Sequence, residues 1–301
     1  MTNAEQRVLR RWPSLLLVTG KGGVGKTTLS CVLATSCSDA GRNTLLLELD
    51  PRESAHRMLG IPPSGGEVER AGHRLWLRNL QPRTELDALV EDRLKISAIS
   101  RRVLQSPVYR HFAEGCPGLK ELAVLGHALR CLRGELMREE EIDQVVLDAP
   151  ATGHGLSLLA APELVAEAIE SGPFGRLAGE LAEFVGDPER CGVVAVTAAE
   201  EMPVDETLEL LDALEERMDR APELLVVNGL YPEIPEGFEP RDEIDRLWIR
   251  RRKVNRRESR RLSRRWSGPR IDLERRPIDR SPELIEGLRR RLEAQLEGVA
   301  V

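Results

Sequence analysis

Aromatic side chains make up only 3% of this 301-residue chain, so its core has to be built from Leu, Val, Ile and Ala. No uninterrupted apolar run approaches the roughly 18 residues of a membrane span. The opening segment, MTNAEQRVLRRWP, is polar and lacks the apolar stretch of a signal peptide. Five cysteines, an odd number with no CxxC pair, read neither as a disulfide framework nor as a zinc site. A cytoplasmic setting and a single domain over residues 1–301 are expected. Lysine is scarce as well: of 44 basic residues only five are lysine, at Lys21, Lys26, Lys95, Lys120 and Lys253. The net charge of −6 argues against a surface given over to nucleic acid, and no such partner is expected of the whole chain. It says nothing of a local patch.

What is present is a hydrophobic fraction of 41%, enough for a sizeable core. Short apolar runs predict strands at Leu15–Thr19, Thr44–Leu49, Leu75–Leu80, Gln144–Asp148, Val193–Thr197, Leu224–Asn228 and Arg270–Leu273. Several are nearly continuous Val, Leu and Ala, the pattern of strands covered on both faces. Helical segments are expected at Lys26–Ala40, Thr84–Lys95, Leu119–Glu140, Pro162–Val185, Val204–Arg220, Arg241–Arg265 and Pro282–Leu296. The alternation predicts an α/β fold with a doubly wound, mostly parallel sheet. Two stretches, about 83–138 and 156–186, carry more chain than a crossover needs. They are expected to form a helical subdomain on one edge of the sheet.

The segment Gly20-Lys21-Gly22-Gly23-Val24-Gly25-Lys26-Thr27-Thr28 follows a strand, opens a helix and matches the G-x-x-x-x-G-K-[ST] phosphate loop. Backbone amides converge on phosphate oxygens only where no side chain blocks them, hence the glycines, and the helix start adds partial positive charge. Lys26 is expected on the β- and γ-phosphates of ATP, and the Thr27 hydroxyl on Mg²⁺. Two of the chain's five lysines fall in this one loop. With Lys26 facing inward, Lys21 must point elsewhere.

Two strands end in acids. Leu45-Leu46-Leu47-Glu48-Leu49-Asp50 brings Asp50 to the ligand edge of the sheet, where it could orient water and accept its proton. Val145-Val146-Leu147-Asp148 has the Walker-B pattern, with Asp148 near Mg²⁺ through water. Gly153 follows as a hinge, and His154 reads equally well as a structural histidine.

The loop resembles the deviant form K-G-G-x-G-K-T of dimeric P-loop NTPases such as ParA, MinD and nitrogenase iron protein. There the first lysine reaches the partner's γ-phosphate, which casts Lys21 as catalytic beside Asp50. The whole set resembles the ArsA family of arsenite-pump ATPases and tail-anchored-protein targeting factors. Asp148-Ala149-Pro150-Ala151-Thr152-Gly153-His154 is similar to its second switch. Asp50-Pro51 is similar to its first switch, whose histidine here comes later, at His56. Pro117-Gly118-Leu119-Lys120-Glu121 is similar to its P-G-x-x-E segment. Val226-Val227-Asn228-Gly229-Leu230 is similar to its V-V-N-Q-L, which casts Asn228 as the adenine reader. The resemblance implies a homodimeric, Mg²⁺-dependent ATPase switch acting on an unidentified protein client or membrane pump subunit. The alternative is a MinD/ParA-like positioning ATPase that binds membrane or DNA.

Arsenite binding needs about three converging thiolates. Cys31 and Cys37 lie about 240° apart around one helix, and Cys131 and Cys191 read as core residues, so metalloid activation is not expected. The Arg-rich run 246–265 reads mainly as a solvated helix face neutralised by acids such as Glu206–Glu216, with an anionic partner as the alternative. The C-terminal helix reads as docked on the sheet rather than as a membrane anchor.

Overall fold

The structure, a computed structural model, describes residues 12–94, 104–137, 139–150, 154–169, 171–278 and 280–296. Leu15–Thr19 (β1), Thr44–Glu48 (β2), Leu75–Asn79 (β4), Gln144–Asp148 (β5), Cys191–Ala198 (β6), Leu224–Leu230 (β7) and Arg270–Glu274 (β8) form one sheet with the short Val68–Arg70 (β3). The order is β3-β4-β2-β5-β1-β6-β7-β8. β3 runs antiparallel to β4, and every other pairing is parallel. The α/β, mostly parallel sheet of the sequence reading is therefore observed. β3 was not anticipated: at three residues, half-exposed and at the sheet edge, it has almost no apolar pattern to read.

Among the described helices, Lys26–Asp39 (α1) follows β1, Ser54–Leu59 (α2) follows β2 and Pro82–Leu94 (α3) follows β4. Pro107–Gly115 (α4) and Leu119–Leu132 (α5) precede β5, and His154–Ala168 (α6) and Gly172–Gly186 (α7) follow it. Glu201–Met218 (α8), Glu243–Arg265 (α9) and Pro282–Leu296 (α10) complete the chain. The helix expected over 162–185 is in fact two. Gly172 takes φ +85 between them, Pro173 cannot donate into a preceding turn, and α6 begins earlier and carries Pro162 inside. α5 ends before Glu140 because Gly134 and Met137 turn left-handed.

Strand periodicity sorts the core. Leu15, Leu17, Leu45, Leu47, Val145, Leu147 and Val193 pack against Leu122, Leu125 and Leu129 of α5, Leu158 of α6 and Leu177 and Leu181 of α7. The intervening Leu16, Val18, Leu46, Val146, Val194 and Val196 pack against Leu29, Val32 and Leu33 of α1 and Ile285, Leu288 and Leu292 of α10. The C-terminal helix is thus docked on the sheet. Because the strands run parallel, β1, β2, β5, β6 and β7 all finish on one edge, where an open α/β sheet binds ligands.

Candidate functional site

A cleft of about 490 Å³ opens at that edge, lined by Gly22, Gly23 and Gly25 to Thr28 of the loop, by Leu49 to Arg52, and by Asp148, Ala149 and Arg280. The loop between β1 and α1 holds its shape through glycine. Gly20, Gly23 and Gly25 take φ of +147, +85 and +96. A Cβ on Gly20 would fall 2.0 Å from the Val196 carbonyl oxygen, and one on Gly25 would fall 2.3 Å from Asn228 Nδ2. Gly25 caps α1 without any side-chain hydrogen bond, so the first amides of the helix face the cleft with no side-chain acceptor. A helix start of this kind is suited to an anion.

Lys26 is buried and turned inward, its Nζ donating to the Lys21 carbonyl at 3.1 Å. Burial pulls its pKa down, while Asp148 and Glu206 hold it up. Asp148 ends β5 beneath the loop. Its Oδ2 accepts the Thr27 hydroxyl at 2.6 Å and its Oδ1 the Ser30 hydroxyl at 2.9 Å. Burial pushes this carboxyl up to about 6, against the two hydroxyls and Lys26. Two hydroxyls and a carboxylate in one buried corner are hard oxygen donors of the kind Mg²⁺ accepts, so the residues fit that ion. Ser30 was missed in the sequence, although its position one helical turn after Thr27 could have found it.

Asp50 lies just past β2. Its Oδ1 accepts the Arg52 amide at 3.0 Å, its Oδ2 the Ser54 hydroxyl at 3.2 Å, and its carbonyl the Asn79 side chain at 2.6 Å. Behind it, the fully buried Glu48 accepts the Ala55 amide at 2.9 Å and so anchors the start of α2. Glu48 is pushed up to about 7, mainly by burial and then by Asp148 and Asp50, against the amides. His56 is buried on α2 between Glu48 and Glu53 at 3.6 Å each, with Ser64 at 3.1 Å on its other nitrogen. It supports this segment from behind and does not line the cleft.

Lys21 points away from the cleft and pairs with Glu206 of α8, whose second oxygen is buried without a hydrogen-bond partner. Asn228 does not line the cleft either: its Nδ2 donates to the Val24 carbonyl at 2.8 Å and buttresses the loop from β7. Thr152 and Gly153, and the side chain of His154, lie outside the described residues; His154 opens α6. Of the cysteines, Cys31, Cys37, Cys131 and Cys191 are buried and Cys116 is half-exposed. Burial pushes the Cys37 and Cys131 thiols up to about 12 and that of Cys191 to about 11.

Residues 14–173 match the family model described as anion-transporting ATPase (ArsA ATPase). ATPase BagA of Mycobacterium tuberculosis is 28% identical over 245 residues, covering 77% of this chain and 70% of that protein. The arsenical pump-driving ATPase of Escherichia coli is 27% identical over 75% of this chain and only 41% of its own length. ATPase GET3 of Malassezia globosa is 27% identical over 54% of this chain and 46% of its own.

Proposed function

Because this chain belongs to the anion-transporting ATPase family and is on that ground an ATPase, we propose that Mg·ATP joins two copies across their phosphate loops and that hydrolysis parts them. The observation that carries this reading is the division between two lysines in one loop. Lys26 is folded into its own cleft, whereas Lys21 is turned out toward α8. A partly buried, compact cation turned from its own cleft has no phosphate to serve there, and in this reading it serves one across an interface, as an arginine finger does. The 41% coverage of the E. coli pump-driving ATPase supports this, since one copy here answers to less than half of that protein.

In this mechanism the amides of Gly22 to Thr28 and the Lys26 ammonium hold the β- and γ-phosphates. Gly20 lets the loop pass close to Val196, Asn228 holds the loop through the Val24 carbonyl, and in this reading Asn228 also contacts adenine once the loop is occupied. Thr27 would hold Mg²⁺ directly and Asp148 would hold it through water, and an ion held there would supply charge stabilisation to the phosphate oxygens. The bond between the γ-phosphorus and the bridging oxygen breaks as water attacks. Asp50 orients the attacking water and takes its proton, and the products are ADP and phosphate. The partner's Lys21 stabilises charge on the transferring group.

The readout runs through the helices. α6 begins six positions after Asp148, and Gly155 at its start leaves so little room that a Cβ there would fall 1.9 Å from Thr19 Oγ1, just before the phosphate loop. Movement of the loop around the γ-phosphate would therefore pass directly to the helices of 83–138 and 156–186, which act as the unit that grips a client protein or pump subunit. Sedimentation velocity of Asp50→Asn tests the reading. Dimer with Mg·ATP and monomer with Mg·ADP is expected; monomer in both overturns the switch.

A further inference from the structure

The Arg-rich helix α9 has two unlike sides. Its inner side is anchored: Asn255 accepts the Tyr231 amide at 2.8 Å and donates to the Ala199 carbonyl at 2.9 Å, Leu262 is buried, and Trp248 donates to the Pro232 carbonyl at 3.1 Å. Its flank toward α8 is neutralised as the acidic composition implied. Arg261 reaches Asp205 and Glu258 at 2.7 and 2.8 Å, Arg265 forks onto Asp212 at 2.9 and 2.7 Å, and Arg251 lies 3.5 Å from Glu200.

The outer side is different. Arg246, Arg250, Lys253, Arg260 and Arg264 are exposed and, among the described residues, belong to no ion pair. Arg257, also exposed, continues the same line while holding Glu258. Steps of three and four residues put all six within about 40° of one line along the helix, over roughly 27 Å. Such a row repels itself, and a chain of net charge −6 has acids enough to have paired it. The helix beneath the row is held by hydrogen bonds and ion pairs on its other sides, which fixes the backbone that carries the row.

From this row we infer that α9 is a docking surface for the phosphate backbone of a nucleic-acid duplex. The chemistry of the face selects that partner. A membrane-surface helix needs an apolar stripe beside its cations to enter the interface, and a stable protein interface needs an apolar centre. The row offers neither: the exposed Ile244 and Leu247 near the start of the helix lie about 160° and about 100° around it from the row's centre line. A duplex backbone is recognised by charge and guanidinium forks alone, and presents one negative charge per about 1.7 Å of axis along a rod. All six cations are arginine or lysine, and among the described residues five of them belong to no ion pair. The charge balance of the whole chain argued against nucleic acid; this is the local patch that such a balance cannot see.

The test uses the full chain without nucleotide, so that its result is independent of the dimer switch. Fluorescence anisotropy with a mixed-sequence DNA duplex is followed as salt is raised. The logarithm of the binding constant should fall against the logarithm of salt with a slope of about −4 to −5, from about 0.9 counterion for each of the five unpaired row cations. The triple variant Arg250→Gln/Lys253→Gln/Arg260→Gln should flatten that slope by about 3. A control of equal net charge, Arg70→Gln/Arg74→Gln/Arg290→Gln, all exposed and away from the cleft, should leave it unchanged, and basal ATPase should be the same in both. Should the triple fail to fold, Arg250→Gln and Arg260→Gln singly each flatten the slope by about 1. Equal losses in row and control variants, no duplex binding at low salt, or binding to phosphatidylserine vesicles in place of duplex would each overturn the inference.

Discussion

Replacing Glu48 by glutamine asks whether the floor of the cleft is held at an electrostatic cost. Glu48 is fully buried at the end of β2, and its carboxyl is pushed up to about 7, first by burial and then by Asp148 and Asp50. Its Oε1 accepts the Ala55 amide, but its Oε2 has no hydrogen-bond partner and lies 3.6 Å from His56 Nδ1, itself without one. Because the folded pKa lies above the ordinary 4.5, the native state binds this proton more tightly than the unfolded chain. The group's contribution to stability is therefore highest below 4.5 and is eroded as pH rises to about 7. The gap between those two values corresponds to about 3 kcal/mol. A glutamine side chain in this place would keep an oxygen for the Ala55 amide, offer an N–H to His56 Nδ1 and carry no charge. The Glu48→Gln variant, free of nucleotide and magnesium, should gain up to about 3 kcal/mol at pH 8 and much less at pH 5. Urea titrations at both pH values read this directly. An unchanged or lowered stability at pH 8, or an equal gain at both, refutes the reasoning.

Gly20→Ala should lower stability by about 3 kcal/mol or more, because its Cβ meets the Val196 carbonyl at 2.0 Å. Gly65→Ala, whose Cβ meets nothing, should lose only about 1 kcal/mol for its left-handed φ; thermal melts compare the two. The kcat/KM for ATP, which reports the free enzyme, should fall as pH drops through about 6, where Asp148 takes up a proton and loses the negative charge that would face Mg²⁺. A pH–rate profile without an acid limb in that range contradicts this. Glu206→Gln removes the in-chain partner of Lys21 and should raise basal turnover, with no effect when Lys21→Ala is also present. A rise that survives in the double variant would assign Glu206 some other role.

The central strands were legible because buried parallel strands read as unbroken apolar runs, and the phosphate loop because its glycines and lysine have fixed spacing. α2 was not legible. It is six residues long and its start is held by Glu48, which comes from the preceding strand, with Glu53 left-handed before it. The break between α6 and α7 carried a readable signal, Ser171-Gly172-Pro173, that the apolar pattern on either side overrode. At the site, the positions of Lys26, Thr27, Asp50 and Asp148 on one edge follow from strand ends that sequence identifies. The Lys21–Glu206 pair does not, because it joins residues 185 positions apart on two elements whose packing only the fold determines. The pairing of half of α9 and the bareness of its other side were equally hidden, since sequence counts charges without saying which neighbours meet them.

Subunit mixing tests the central claim most directly. A Lys21→Ala subunit keeps its own Lys26 but has no lysine to lend, and a Lys26→Ala subunit has no working cleft of its own but still carries Lys21. Each alone should be nearly inactive in phosphate release, and mixing them should restore activity, since each mixed dimer has one complete site. Full activity of Lys21→Ala alone, or no recovery on mixing, would contradict catalysis by a lysine from the second copy.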